Sequence, residues 1–570
     1  MQLMNSIGNL RRTGKAATTL ALTFALLLLA FESAHLAASS PAPQAHAPSS
    51  QSAGAQGAAA AATSAAAKVQ AAIDARCDGI HPGAVLLPPG ILQLDATLHI
   101  PSECSVAGGT SETTLRATEN FAPRAPNALV SIAGKKDATL QNLTLDGNRP
   151  ANKNNFDLLR IDNSTGIAVQ HVHGQTSANG IAILNASSDV KIENSEVERC
   201  GLPLPSADGG GVGISPGASA ISRVQITNSR IHDNNQGIAL FNSAEPGKNV
   251  TEVTFAHNSV YSNANDGINV TSSGHPSGGS IIGLRVVDNE TYCNGWTEKP
   301  KGGPGGLGFS RSCKPGFFQR GADSSSGVGI DIIGNLTVRS TVASNRTHDN
   351  LFDGISNDAS LMVNVSTDGN TVHRLSGPPF NPKWQPNQPV IIKGKYYHIV
   401  AVSPDGSALT VSSAIGANEK ALLYGPSVVN NSFAHNISSN NATGIFNQMA
   451  DGDEYTGNQA IQNALAGFYT NGGSQNTYQD DVASENGQNH TRANQGFAIN
   501  EGVNNRFYRI QSRDRGARPT QEYGLAVSAG ARNTVIESSR LSGAGRGKPV
   551  NNLAPSTVYR QEDGSLPRPQ

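Results

Sequence analysis

From Gly166 onward the chain repeats one short phrase: a glycine, an apolar residue, a small or polar residue, and often a second apolar residue. Copies stand at Gly180-Ile181-Ala182-Ile183, Gly213-Ile214, Gly237-Ile238-Ala239-Leu240, Gly267-Ile268-Asn269-Val270, Gly329-Ile330-Asp331-Ile332 and Gly354-Ile355. They continue at Gly444-Ile445, Gly467-Phe468, Gly496-Phe497-Ala498-Ile499 and Gly524-Leu525-Ala526-Val527. Where nothing intervenes, copies are 23 to 30 residues apart. A second phrase precedes most of them, as in Asn228-Ser229-Arg230-Ile231-His232-Asp233-Asn234. It closes on an asparagine at Asn234, Asn263, Asn294, Asn350, Asn440, Asn463 and Asn486.

Alternation over three or four residues is a short strand with one buried face. The glycine before it suits a sharp bend at positive φ. A unit of about 25 residues cannot bury a face alone, but it can when stacked on copies of itself. The chain therefore predicts an all-β fold, a coil of parallel strands of about ten turns, with the asparagines stacked at one corner. Sustained helical spacing occurs only at residues 63–76, where Val69 and Ile73 lie one turn apart.

After that helix come Cys77-Asp78-Gly79, Val85-Leu86-Leu87-Pro88-Pro89-Gly90 and Ser105-Val106-Ala107-Gly108-Gly109; Asp146-Gly147-Asn148-Arg149 follows later. This region resembles the N-terminal cap of the pectate-lyase-like right-handed parallel β-helix superfamily. The resemblance covers residues 65–545 and implies a solenoid plugged by a helix. It leaves the activity open among lyases, hydrolases, epimerases, esterases, tailspikes and adhesins. The motif phrases of mannuronan epimerases and pectate lyases are missing here. Asp480-Asp481, alone of the four phrases of the polygalacturonase-like hydrolases, reads as turn chemistry.

Two stretches break the repeat: residues 293–326, and residues 376–426, which read as a small inserted β-module. The expected organisation is a signal peptide (1–37), a linker rich in Ala, Ser and Pro (38–62), coil (63–375), module (376–426), coil (427–545) and tail (546–570). Arg11, Arg12 and Lys15 precede an apolar run from Ala16 to Phe31. That run is short of the roughly 20 residues a membrane span needs and reads as an export signal. In an oxidising compartment Cys77 would pair with Cys104, and Cys293 with Cys313. Cys200 stands at a ladder position and is expected to be buried and free.

Lys and Arg number 42 against 43 Asp and Glu. This near-neutrality excludes a nucleic-acid-binding field. The expected partner of this monomer is a glycan. Once the insertion is set aside, the phrases at Gly267, Gly329 and Gly354 fall on consecutive turns. Asp266 and Asp353 precede their glycines, and Asp331 lies on the outward face between them. Such carboxylates either bind calcium through hard oxygen ligands or divide into acid and base roles. Arg346 is the nearest candidate cation, and Asn269 lies beside the group. Trp296 and Trp384, the only tryptophans, fall in the two insertions and offer sugar platforms. Lys299, Lys301, Arg311, Lys314 and Arg320 face Glu298 alone, which favours an anionic ligand such as a uronate polysaccharide. The expectation is a polysaccharide lyase or hydrolase. The alternative is a surface β-helix that binds glycans without turnover.

Overall fold

A computed structural model describes residues 64–109, 112–123, 125–149, 151–201, 210–242, 245–272, 279–296, 313, 327–489, 495–514, 520–541 and 549–560. The expected signal, the linker and Arg311 lie outside the described residues.

Two parallel sheets wind through the chain. The narrow sheet has 14 strands, one per turn, from Leu98–His99 to Val550–Asn552. The broad sheet has 29 strands, and most turns give it two short ones, forming a first and a second panel. The coil thus runs through more turns than the ten expected. It also continues past residue 545, where Val550–Asn552 and Val558–Arg560 form strands rather than a loose tail.

The corners at the end of each panel are turned by residues in left-handed conformation: His257 (φ 56°) and Ser262 (φ 53°) in one turn, Asp288 (φ 54°) and Cys293 (φ 57°) in the next. Such residues carry a conformational cost that only Gly, Asn and Asp bear lightly. The asparagine that follows each corner offsets it. At Asn263 the main-chain N–H donates to Asn294 Oδ1 at 3.1 Å, while Nδ2 donates to the Ile231 carbonyl at 3.3 Å. The file runs from Asn234 through Asn263, Asn294, Asn350, Asn441 and Asn463 to Asn486. Asn441, not Asn440, is the member in register; Asn440 is the left-handed corner residue before it (φ 54°). Cys200 heads the file as expected, its N–H donating to Asn234 Oδ1 at 2.8 Å, and it is buried and free. A second file, Asn258, Asn289, Asn345, Asn436, Asn458 and Asp481, turns the corner between the panels.

The recurring glycines serve a different purpose from the one expected. Gly237, Gly267, Gly329 and Gly354 do not have positive φ. A Cβ on Gly267 would stand 2.7 Å from the Gly329 carbonyl and 2.8 Å from Asn294 Nδ2. Close approach between turns is what demands glycine there. By the same test Gly211, not Gly213, is the turn glycine of its copy: Ile181 pairs with Val212, and Gly213 faces outward opposite Ala182.

Helix α1 (Ala65–Asp74), two residues shorter at each end than expected, closes the first turns. Ser64 caps it, accepting from Ala67 N–H at 3.2 Å. Ala66, Val69 and Ile73 enter the core, and Gln70 exchanges two hydrogen bonds with the His99 backbone at the open edge of the narrow sheet. Cys77–Cys104 ties the helix to the coil, and Cys293–Cys313 closes the base of the first insertion.

The second insertion is a closed antiparallel barrel of Leu361–Asp368, Thr371–Ser376, Pro389–Ile392, Lys395–Val402, Ala408–Val411 and Asn418–Gly425. It begins about 15 residues before the expected boundary and has its own core around Phe380, Trp384 and Leu423. The coil pairs directly across it: Ile355–Asp358 lies beside Ile445–Gln448.

Candidate functional site

The outward face of the narrow sheet carries two adjacent files of side chains. One reads Asn269, Asp331, Ser356, Phe446 and Tyr469; the other reads Thr271, Ile333, Asp358, Gln448 and Asn471. Ile330, Ile332 and Ile355 alternate with them into the core, which is what turns Asp331 and Asp358 outward. The three turns are consecutive, as the sequence implied.

Asp266, Asp331, Asp353 and Asp358 all interact here, yet Asp331 is only 8% exposed, not the free surface carboxylate expected. Burial raises its pKa well above the ordinary carboxylate range, Asp266 adds to the rise, and Asp358 and Asp353 contribute further. Burial pushes Asp353 up to about 7, against the opposing hydrogen bonds from Thr443. Asp266 is raised by burial too, but it is tied down: Oδ1 accepts the Gly327 and Val328 N–H groups, each at 2.9 Å, and Oδ2 accepts from Asn269 Nδ2 at 2.9 Å. Asp266 and Asn269 thus pin the chain where it returns from the first insertion. Asp358 accepts from Ser360 N–H at 3.0 Å and Oγ at 2.6 Å, and from Gln448 Nε2 at 2.8 Å. Burial raises its pKa, and these bonds, which favour the charged form, oppose the rise.

The barrel walls one end of this face. Asn471 Nδ2 donates to Gln448 Oε1 at 3.3 Å, and Tyr396 of the barrel donates its hydroxyl to Asn471 Oδ1 at 2.6 Å. His398 of the barrel meets Glu501 at 3.1 Å. An amide relay therefore joins Asp358 to the barrel. From sequence Asp358 was read only as a neighbour of the cluster, and Tyr396 was not singled out. Asp358 had a readable signal, four residues after the turn glycine and so outward, but Tyr396 reaches the site only through the folding of the barrel.

Other expected residues lie elsewhere. Arg346 is on the second panel of the broad sheet, 3.9 Å from Glu290, and among the described residues no arginine or lysine pairs with the four carboxylates. Trp384 fills the barrel core at 6% exposure, its Nε1 donating to the Pro426 carbonyl at 2.9 Å, so its face is not free for a sugar. Trp296 is half-buried at the corner leading into the narrow sheet, donating to the Asp349 carbonyl at 2.7 Å. Asp480 pairs with Arg509 at 2.5 Å and Asp481 joins an asparagine file, the turn chemistry expected of them.

Residues 123–290 match the family described as the right-handed β-helix region. The chain has the right-handed parallel β-helix fold. The match agrees with the β-helix fold that the resemblance implied. No curated protein sequence matches this β-helix protein. Among solved structures, it is similar to the A-module of a mannuronan C-5 epimerase of Azotobacter vinelandii, at 12% identity and TM-score 0.40, covering 89% of this chain and 96% of that one. It is also similar to the receptor-binding domain of the siphovirus 9NA tailspike, at 9% identity and TM-score 0.41, covering 87% and 79%. A surface adhesin of Streptococcus pneumoniae matches at 11% identity and TM-score 0.36, covering 88% and 90%. Among the described residues no helix of this β-helix protein is long and apolar enough to cross a membrane.

Proposed function

We propose that this β-helix protein is an exported glycoside hydrolase that cleaves an acidic polysaccharide on the outward face of the narrow sheet. The observation that carries the reading is the pairing of Asp331 with Asp358. They lie on adjacent turns and adjacent files, two residues apart along the strand. A strand spacing of about 4.8 Å and a rise of about 3.3 Å per residue put their Cβ atoms about 8 Å apart. That separation suits an inverting pair, which leaves room for a water between its carboxyl groups. Burial raises the pKa of both; Asp266 adds to the rise at Asp331, while the hydrogen bonds of Ser360 and Gln448 oppose it at Asp358. Asp331 holds the proton and gives it to the leaving glycosidic oxygen. Asp358 takes a proton from water as the water oxygen bonds to the anomeric carbon and the glycosidic bond breaks.

Upstream in the file of Asp331 stand the small residues Ala182, Gly213 and Ala239; a Cβ on Gly213 would meet open space, while the two alanines are buried. The five cations of residues 299–320 favour an acidic substrate. The two disulfides suit export to an oxidising compartment. Calcium among the carboxylates remains the competing use of the same oxygens.

The test is incubation with a panel of uronate polysaccharides, reading reducing ends and, separately, the ultraviolet absorbance of unsaturated ends. New reducing ends without that absorbance are expected. Asp331→Asn and Asp358→Asn should each lose about 10²–10⁴-fold in turnover. Unsaturated products, or full activity in both variants, would sink the reading. Retention of a glycan without turnover would favour the binding alternative, for which the anchoring roles of Asp266 and Asp353 speak.

A further inference from the structure

On the second panel, far in sequence from the carboxylates above, Glu196–Glu198 pairs in parallel with Arg230–His232, and Glu198 stands opposite His232. Asp233 follows at the corner in left-handed conformation (φ 56°), which turns its carboxylate back beside the ring. Glu198, His232 and Asp233 each offer a ligand atom, and these atoms lie within 4.8 Å of one another. Glu198 and His232 are buried, at 8% and 7% exposure.

The ring of His232 is held on both sides. Nε2 faces Glu196 Oε1 at 2.8 Å, and Nδ1 faces Asp233 Oδ2 at 2.9 Å. A neutral imidazole has one N–H and one lone pair. It satisfies one of these carboxylates and turns a lone pair toward the other, unless a cation or a second proton lies between. The far carboxylate is also what metal-binding histidines use: a ring N–H donated to Glu or Asp fixes the tautomer and aims the other nitrogen at the ion. Glu196 occupies that position.

We propose that Glu198, His232 and Asp233 bind a divalent transition-metal ion of the zinc type, with His232 Nδ1 as the nitrogen ligand and Glu196 as its orienting partner. Metal–nitrogen and metal–oxygen bonds of about 2.0–2.2 Å place an ion between two atoms 2.9 Å apart at an angle of about 90°. An imidazole nitrogen selects zinc-like ions over calcium, which takes oxygen ligands. His173 Nε2 stands 3.3 Å from Glu198 Oε1 and Arg199 stands 3.2 Å from Oε2, which orient that carboxylate. The ion staples two successive turns through a registered pair of strand residues.

The fold contains its own control. His348 repeats the clamp, with Asp349 at 2.8 Å and Glu290 at 3.4 Å, but its partner on the preceding turn is Tyr292 instead of a carboxylate. That copy lacks the third ligand.

The experiment uses the tag-free full chain with disulfides intact, stripped with chelator and titrated with Zn²⁺ by calorimetry, with bound metal measured after dialysis. One equivalent per chain is expected, together with a higher melting temperature. His232→Ala should lower the affinity at least about 100-fold, and Asp233→Asn, at a half-exposed position, should lower it strongly while keeping the fold. Glu196→Gln should weaken binding about 10–100-fold. His348→Ala should leave stoichiometry and affinity unchanged. Absence of bound Zn²⁺ in the native chain overturns the proposal and assigns the gap to a proton. So does unchanged affinity in both His232→Ala and Asp233→Asn, or preference for Ca²⁺ over Zn²⁺.

Discussion

Asp481 holds a place that its file gives otherwise to asparagine. It is fully buried, and Oδ1 accepts both the main-chain N–H and the side-chain amide of Asn458, at 2.7 and 2.9 Å. Among the described residues its Oδ2 has no hydrogen-bond partner. Burial pushes its pKa up to about 8, and Asp453, likewise buried, to about 8. An unfolded aspartate titrates near about 3.9. A carboxyl raised above that value binds its proton more tightly in the folded state, so its contribution is full below about pH 4 and is lost as pH rises toward about 8. Melting temperature should therefore fall across that window and level off above it. Asp481→Asn supplies an amide able to donate as Asn458 does to the Phe433 carbonyl at 2.9 Å. The variant should melt close to the native protein at pH 5 and clearly above it at pH 9. A variant that melts lower at both values would show that the carboxylate is held charged.

At the scale of the single turn, stability resides in close approach. A Cβ on Gly354 would run into Ser438 Oγ and stand 2.7 Å from Asn441 Nδ2, both on the following turn. Gly354→Ala should therefore cost about 1–3 kcal/mol through overpacking, measured by denaturant unfolding. Gly213→Ala, with open space around its Cβ, should cost much less. The sequence pattern made both glycines look alike, because periodicity counts spacing and does not see which turn stands opposite. The same blindness moved one asparagine of the file by a residue. It also hid the corner between the panels, where His257, Asp288 and Ser344 all take left-handed φ without a shared residue type.

For the whole molecule, the alternation of apolar residues was sufficient to read a parallel coil, its capping helix and the adjacency of the turns carrying Asp266, Asp331 and Asp353. It was insufficient for the site, because burial and partners depend on what the insertions cover. Trp384 looked like a surface platform and is barrel core; Arg346 looked like a neighbour and faces another sheet. The cap is the part most dependent on a covalent tie. Replacing Cys77 and Cys104 by serine should lower unfolding free energy by about 2–4 kcal/mol, read from denaturant melts, since the bridge joins residues 27 apart in sequence. No change would mean that the buried face of α1 holds the end alone. The barrel shows a different economy. Leu361 and Gly425, its first and last strand residues, are paired with each other, so the whole module enters and leaves through a neck one residue pair wide. The coil turns before and after the module are already in register, Thr341–Ala343 with Ser432–Ala434 and Ile355–Asp358 with Ile445–Gln448. In evolutionary terms the neck is a socket: one cassette can be exchanged for another without re-registering a single strand, and a lineage can change what leans over the carboxylates while the scaffold beneath them stays the same.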